Sequence, residues 1–129
     1  MTDSEALVHW LGDRQIPAER SMDEFRSAVR DQLIKDFQWD RDRVEAVRIA
    51  LVQLLKDEIE WGMERDATAL FASFYRLDLG EKVIREVLDL HERQEAYGIL
   101  AERSLERAAM KVWMRWTFGA LTTSSGASR

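Results

Sequence analysis

Cysteine is absent from the 129-residue chain, which excludes a disulfide framework, a thiolate zinc site and a cysteine nucleophile together. Proline occurs once, glycine six times, and β-branched runs are scarce, a composition that argues against a many-stranded sandwich with its frequent turns. No stretch reaches the ~18 uninterrupted apolar residues that a membrane span requires. Charge of one sign is also missing: the net charge is −5, so no strongly basic domain is present for nucleic acid. The N-terminus, Met1-Thr2-Asp3-Ser4-Glu5, is acidic where a signal peptide would be basic, and no apolar run follows it. A cytoplasmic location is the expectation.

What the chain does contain is 46% hydrophobic residues, enough at this length for a core that needs no covalent staples. Side-chain caps and helical periodicity divide it. Thr2 with Glu5 and Ser21 with Glu24 have the spacing of a capping box, and Asp78 with Glu81 and Asp89 with Glu92 repeat it with an Asp cap. Asp40 and Asp66 are further N-cap candidates, and Gly12 stands where a helix C-cap is expected. These signals predict six helices near residues 3–11, 22–38, 41–62, 67–77, 80–88 and 90–118. Phe25, Val29, Leu33 and Phe37 recur every four residues, a row that only a helix presents on one face. Val44, Val47, Leu51, Leu54 and Leu55 form a second row, and Tyr97, Ala101, Leu105, Ala108, Val112 and Trp116 a third. The expected fold is all-α: a compact bundle of about six helices with a long C-terminal helix as its spine. Residues 1–118 are expected to form a single helical domain and residues 119–129 a flexible tail.

Sequence signatures of catalysis are missing: there is no phosphate-binding Gly-rich loop, no nucleophile elbow and no His-Glu-x-x-His. The expectation is therefore a non-enzymatic protein without a cofactor or a metal. One alternative stands against it. Glu58 falls within the second apolar row, where a carboxylate needs a cation or a donor. His91, Glu95 and Glu102 share one edge of the last helix, so Glu58, His91 and Glu95 are the residues from which a metal site would be assembled. The simpler expectation pairs Glu58 with Arg48 or Arg76.

The last helix carries the most distinctive pattern. Arg103, Arg107, Lys111 and Arg115 stand four residues apart, and Leu100, Met110, Met114 and Phe118 run beside them, outside the main core row. Cations interleaved with flexible methionines suit a protein surface, with acidic segments nearby to answer the charge: residues 1–40 hold five basic and nine acidic side chains. The expected function is an accessory or adaptor protein that works by protein–protein contact, with a protein partner or a second copy bound through Arg103, Arg107, Met110, Lys111, Met114 and Arg115. The alternative is peripheral binding of anionic lipid or a nucleic-acid backbone by the same row, although Glu102 and Glu106 weaken its field. No polar constellation marks a small-molecule site.

Five tryptophans are expected to fill the core, with Trp39 and Trp61, near helix ends, the most exposed. The segment Leu70-Phe71-Ala72-Ser73-Phe74-Tyr75-Arg76-Leu77-Asp78-Leu79-Gly80-Glu81-Lys82, followed by Ile99-Leu100-Ala101-Glu102-Arg103, resembles a motif of small bacterial all-helical proteins. In those, an apolar helix ends in Tyr-Arg-φ-Asp-φ-x-Glu (φ apolar) and a later helix carries φ-φ-x-Glu-Arg. The resemblance spans residues 50–115 and implies a bacterial, cytosolic, all-helical protein, with no activity or site residue attached. Physically, Asp78 is expected to cap the next helix, and Tyr75, Arg76 and Asp78 to latch a helix corner.

Overall fold

In a computed structural model, which describes the backbone of residues 2–127 and the side chains of residues 2–119, the described residues form seven helices and no strand. They are α1 (Asp3–Leu11), α2 (Met22–Phe37), α3 (Arg41–Ala46), α4 (Leu51–Arg65), α5 (Ala67–Leu77), α6 (Glu81–Leu90) and α7 (Arg93–Ala127). The tail expected over residues 119–129 lies, from residue 120 on, outside the described side chains. No helix among the described residues is long and apolar enough to cross a membrane.

Local chemistry sets most boundaries. At α2 the Ser21 hydroxyl accepts the Glu24 N–H at 3.1 Å and the Glu24 carboxylate accepts the Ser21 N–H at 3.2 Å, a reciprocal capping box. Hydrogen bonds from Arg20 and Ser21 lower the pKa of Glu24 below the ordinary carboxylate range. Thr2, Asp40 and Asp66 cap α1, α3 and α5 as their spacing predicts. Gly12 ends α1 at φ 52°, a conformation that disfavours a side chain. Asp78 departs from expectation. It closes α5 in the left-handed region at φ 67°, and Gly80 starts α6 with no side-chain cap. Asp89 stays inside α6, and the Glu92 carboxylate instead accepts the Glu95 N–H at the start of α7.

The expected helix over 41–62 is two helices. Val47 and Ala50 are extended, and the N–H of Leu51, left without an intrahelical acceptor, donates to the Asp3 carboxylate at 2.6 Å. That cap comes from 48 residues away, so no local pattern announces it. Half-burial raises the pKa of Asp3, opposed by the Leu51 N–H and by the charge of Arg26. The break turns α3 back along α4. Arg43 reaches Glu58 at 2.8 Å, whereas in one straight helix fifteen residues would separate them by about 22 Å. Val44 then packs with Ile34 and Leu54 in a small cluster beside the main core.

The main core lies where α7 crosses α4 and α2. All of Phe25, Val29, Leu33 and Phe37 are buried, as are Tyr97, Ala101, Leu105, Ala108 and Val112 on α7, with Trp116 half-buried at the end of that row. Leu100, expected beside this row, is fully buried within it. Close approach of α4 to α5 depends on Gly62, where an added Cβ would stand 2.9 Å from the Leu70 Cβ. Trp61 is exposed as expected; Trp39 is half-buried, its ring centroid 5.2 Å from that of Phe37.

Candidate functional site

The row of cations on α7 is divided: Arg103 and Arg115 are exposed, Arg107 and Lys111 half-buried. Lys111 donates through Nζ to the Asp36 carboxylate at 3.0 Å and to the Arg76 carbonyl at 2.8 Å. Asp36 is 4% exposed, and Gln32, one turn earlier on α2, donates to the same carboxylate at 2.8 Å. Arg115 donates to the Gln32 side-chain oxygen at 3.0 Å. Arg76 of α5 donates through Nε to the Asp36 carbonyl at 2.6 Å and through Nη2 to the Ser73 hydroxyl at 3.0 Å. A guanidinium there meets the negative end of the α2 dipole in its last turn. These contacts form a polar clasp joining α2, α5 and α7. Arg107 adds a pair with Asp78 at 2.8 Å, so the residue expected to cap α6 anchors α7 instead. Arg76 and Asp78 do latch a helix corner, but Tyr75 is 84% exposed and takes no part.

Arg103 points elsewhere. It pairs with Glu106 at 2.8 Å beside a groove of about 580 Å³ between α1, the start of α4 and α7, where His9, Trp10 and Gln53 also lie. Two opposite charges in contact make Arg103 a weak attractor for a distant acidic partner. Of the residues expected to contact a partner, Met110 is half-buried and Met114 exposed, both beside the clasp. Met110, Met114 and Phe118 succeed one another at four-residue intervals, so each is rotated about 40° from the last along one strip of α7. Met114 and Phe118 are each 46% exposed, and the Phe118 ring meets Trp113 edge-on at 6.0 Å.

Aromatic packing fixes this end of α7. Trp116 meets Phe25 at 5.6 Å, and Phe25 stacks on Trp10 at 6.5 Å. The Arg20 guanidinium lies 4.7 Å from the Trp116 ring centre and that of Arg14 lies 4.5 Å from Trp10. Trp113 donates its indole N–H to the Gln15 carbonyl at 3.0 Å. The connection between α1 and α2 is thereby held against α7, on the segment that carries Met110, Met114 and Phe118.

The residues of the metal alternative do not come together. Glu58 is half-buried and paired with Arg43, not with Arg48 or Arg76. His91 Nδ1 stands 3.0 Å from the Glu95 carboxylate, with no further ligand in the arrangement. Among the described residues no three His, Asp or Glu side chains converge on a metal-sized space. No family model, curated protein or solved structure matches the chain.

Proposed function

We propose that this is a non-enzymatic accessory or adaptor protein that works by protein–protein contact through the outer strip of α7. The observation that carries the reading is the exposure of Met114 and Phe118 in register with Met110, on a segment packed by Trp113 and Trp116 against the rest of the bundle. Large apolar side chains held rigidly at the surface present area to a partner at little entropic loss. Methionine adapts to irregular apolar surfaces, which suits a docking helix. Arg103 and Arg115, both exposed, border the strip and serve as its polar rim, whereas Arg107 pairs with Asp78 at the surface and Lys111 serves the buried Asp36.

The test is site-specific photo-crosslinking with a benzophenone amino acid placed at Met114 in the producing cell. A discrete adduct from position 114, absent when the same group replaces the 84%-exposed Tyr75, supports the reading, whether the captured chain is another protein or a second copy. Equal, diffuse crosslinking from both positions contradicts it.

A further inference from the structure

The break between α3 and α4 leaves a pocket of about 220 Å³ against α2, remote from the strip on α7. One wall is apolar, built from Val44, Val47 and Ile49, of which Val47 and Ile49 form the exposed rim. The other wall carries Arg26, Ser27 and Arg30, with the two arginines one helical turn apart.

Arg30 is the notable member. It is half-buried, its Nε is shielded from solvent without an acceptor, and its side chain has no hydrogen bond or ion pair among the described residues. Nearby charges are already committed. Asp3 accepts the Leu51 N–H at 2.6 Å, Glu45 lies 3.6 Å from Arg41, and Arg26 lies 3.6 Å from Asp23. The terminal nitrogens of Arg30, unlike its shielded Nε, remain reachable from this mixed polar and apolar recess, and a carboxylate accepts two parallel N–H bonds from such a fork.

We propose that this pocket binds a small monocarboxylic acid with an apolar tail, its carboxylate on Arg30 and its tail against Val44, Val47 and Ile49. Size is compatible with the choice, since about 220 Å³ exceeds the roughly 150 Å³ that holds a benzene ring. Asp3 and Glu45, which border the same space, are held by the Leu51 N–H and by Arg41, and the apolar wall distinguishes an acid with an apolar tail from phosphate, which has none to bury. The site is independent of the contact strip on α7, and either assignment can fail without the other.

Isothermal titration of the full chain with phenylacetate, phenylacetamide and inorganic phosphate tests the assignment. Phenylacetate is expected to bind saturably, and the uncharged amide and phosphate at least about tenfold more weakly, the loss expected for a missing charge-assisted contact. Arg30→Gln should weaken phenylacetate by a similar factor while Arg48→Gln, at an exposed arginine outside the pocket, leaves it unchanged. Val47→Asp on the exposed rim gives a second readout that leaves α2 intact, and it too should weaken binding. Absence of saturable phenylacetate binding, equal affinity for acid and amide, or binding unaffected by either Arg30→Gln or Val47→Asp would overturn the proposal.

Discussion

Replacing Lys111 with methionine isolates the clasp that joins α2, α5 and α7. The change retains most of the side-chain volume but removes the cation from Asp36, whose side chain is 6% exposed, and the donor from the Arg76 carbonyl. Gln32 alone would then face a nearly buried carboxylate. Breaking a buried ion pair from one side costs about 3–5 kcal/mol. Lys111 is itself 26% exposed, so solvent screens the pair and the cost falls below that range, to about 2–3 kcal/mol. For a chain of this length that corresponds to a fall in Tm of roughly 6–15 °C. Urea unfolding followed by circular dichroism measures it, with the midpoint expected to move at constant slope. Adding Asp36→Asn should recover about 1 kcal/mol or more of the loss, because the stranded charge is removed with its partner. Arg85→Met, which breaks the exposed pair with Glu81, provides the scale and should change stability by less than about 1 kcal/mol. If Lys111→Met cost no more than Arg85→Met, the clasp would be a surface ornament and the account of α7 packing would be refuted.

Gly62→Ala should destabilise by about 1–3 kcal/mol in the same assay despite its better helix propensity, because the new methyl meets the Leu70 Cβ at 2.9 Å and neither backbone can yield alone. Gln38→Gly should do the reverse: Gln38 is exposed and closes α2 at φ 55°, ψ 42°, so glycine relieves a left-handed conformation and is expected to add about 0.5–1 kcal/mol. Acid titration should separate wild type from Asp3→Asn. With its pKa raised in the fold, Asp3 binds its proton more readily in the native state, so wild type should gain on the variant as pH falls through the range just above 3.8. A stability difference independent of pH would contradict the half-buried cap on α4.

Much of the bundle was legible from local chemistry. Ser21, Asp40 and Asp66 name their own helices because a cap needs only the next three residues, and the Phe25-to-Phe37 row needs only a four-residue spacing. The break at 47–50 was not legible, since the acceptor that makes it favourable is Asp3 at the other end of the chain segment. The apolar row shows that Glu58 needs a cation, but a single helix over 41–62 would hold Arg43 about 22 Å away, so local pattern does not name it.

The α7 cations show a different limit. Regular spacing identifies a face and suggests a partner surface, but it does not single out Lys111 as the cation that serves the buried Asp36. A signal was available: Leu100, Ser104 and Lys111 lie within about 40° of arc on the helix, and Leu100 and Ser104 are both fully buried. A lysine on the meridian of a leucine and a serine is placed to serve a buried acceptor. Likewise, the Arg30 pocket had no sequence signature, because its apolar wall exists only once α3 turns back.

The most direct test of the division of labour on α7 is the yield of the adduct from a photoreactive group at position 114, measured in Phe118→Asp and Arg103→Glu backgrounds of comparable melting temperature. If the apolar strip makes the contact and the cations mainly serve the bundle or its rim, Phe118→Asp abolishes the adduct and Arg103→Glu leaves most of it. Loss of the adduct in Arg103→Glu with retention in Phe118→Asp would contradict that division and return the contact to the charged row.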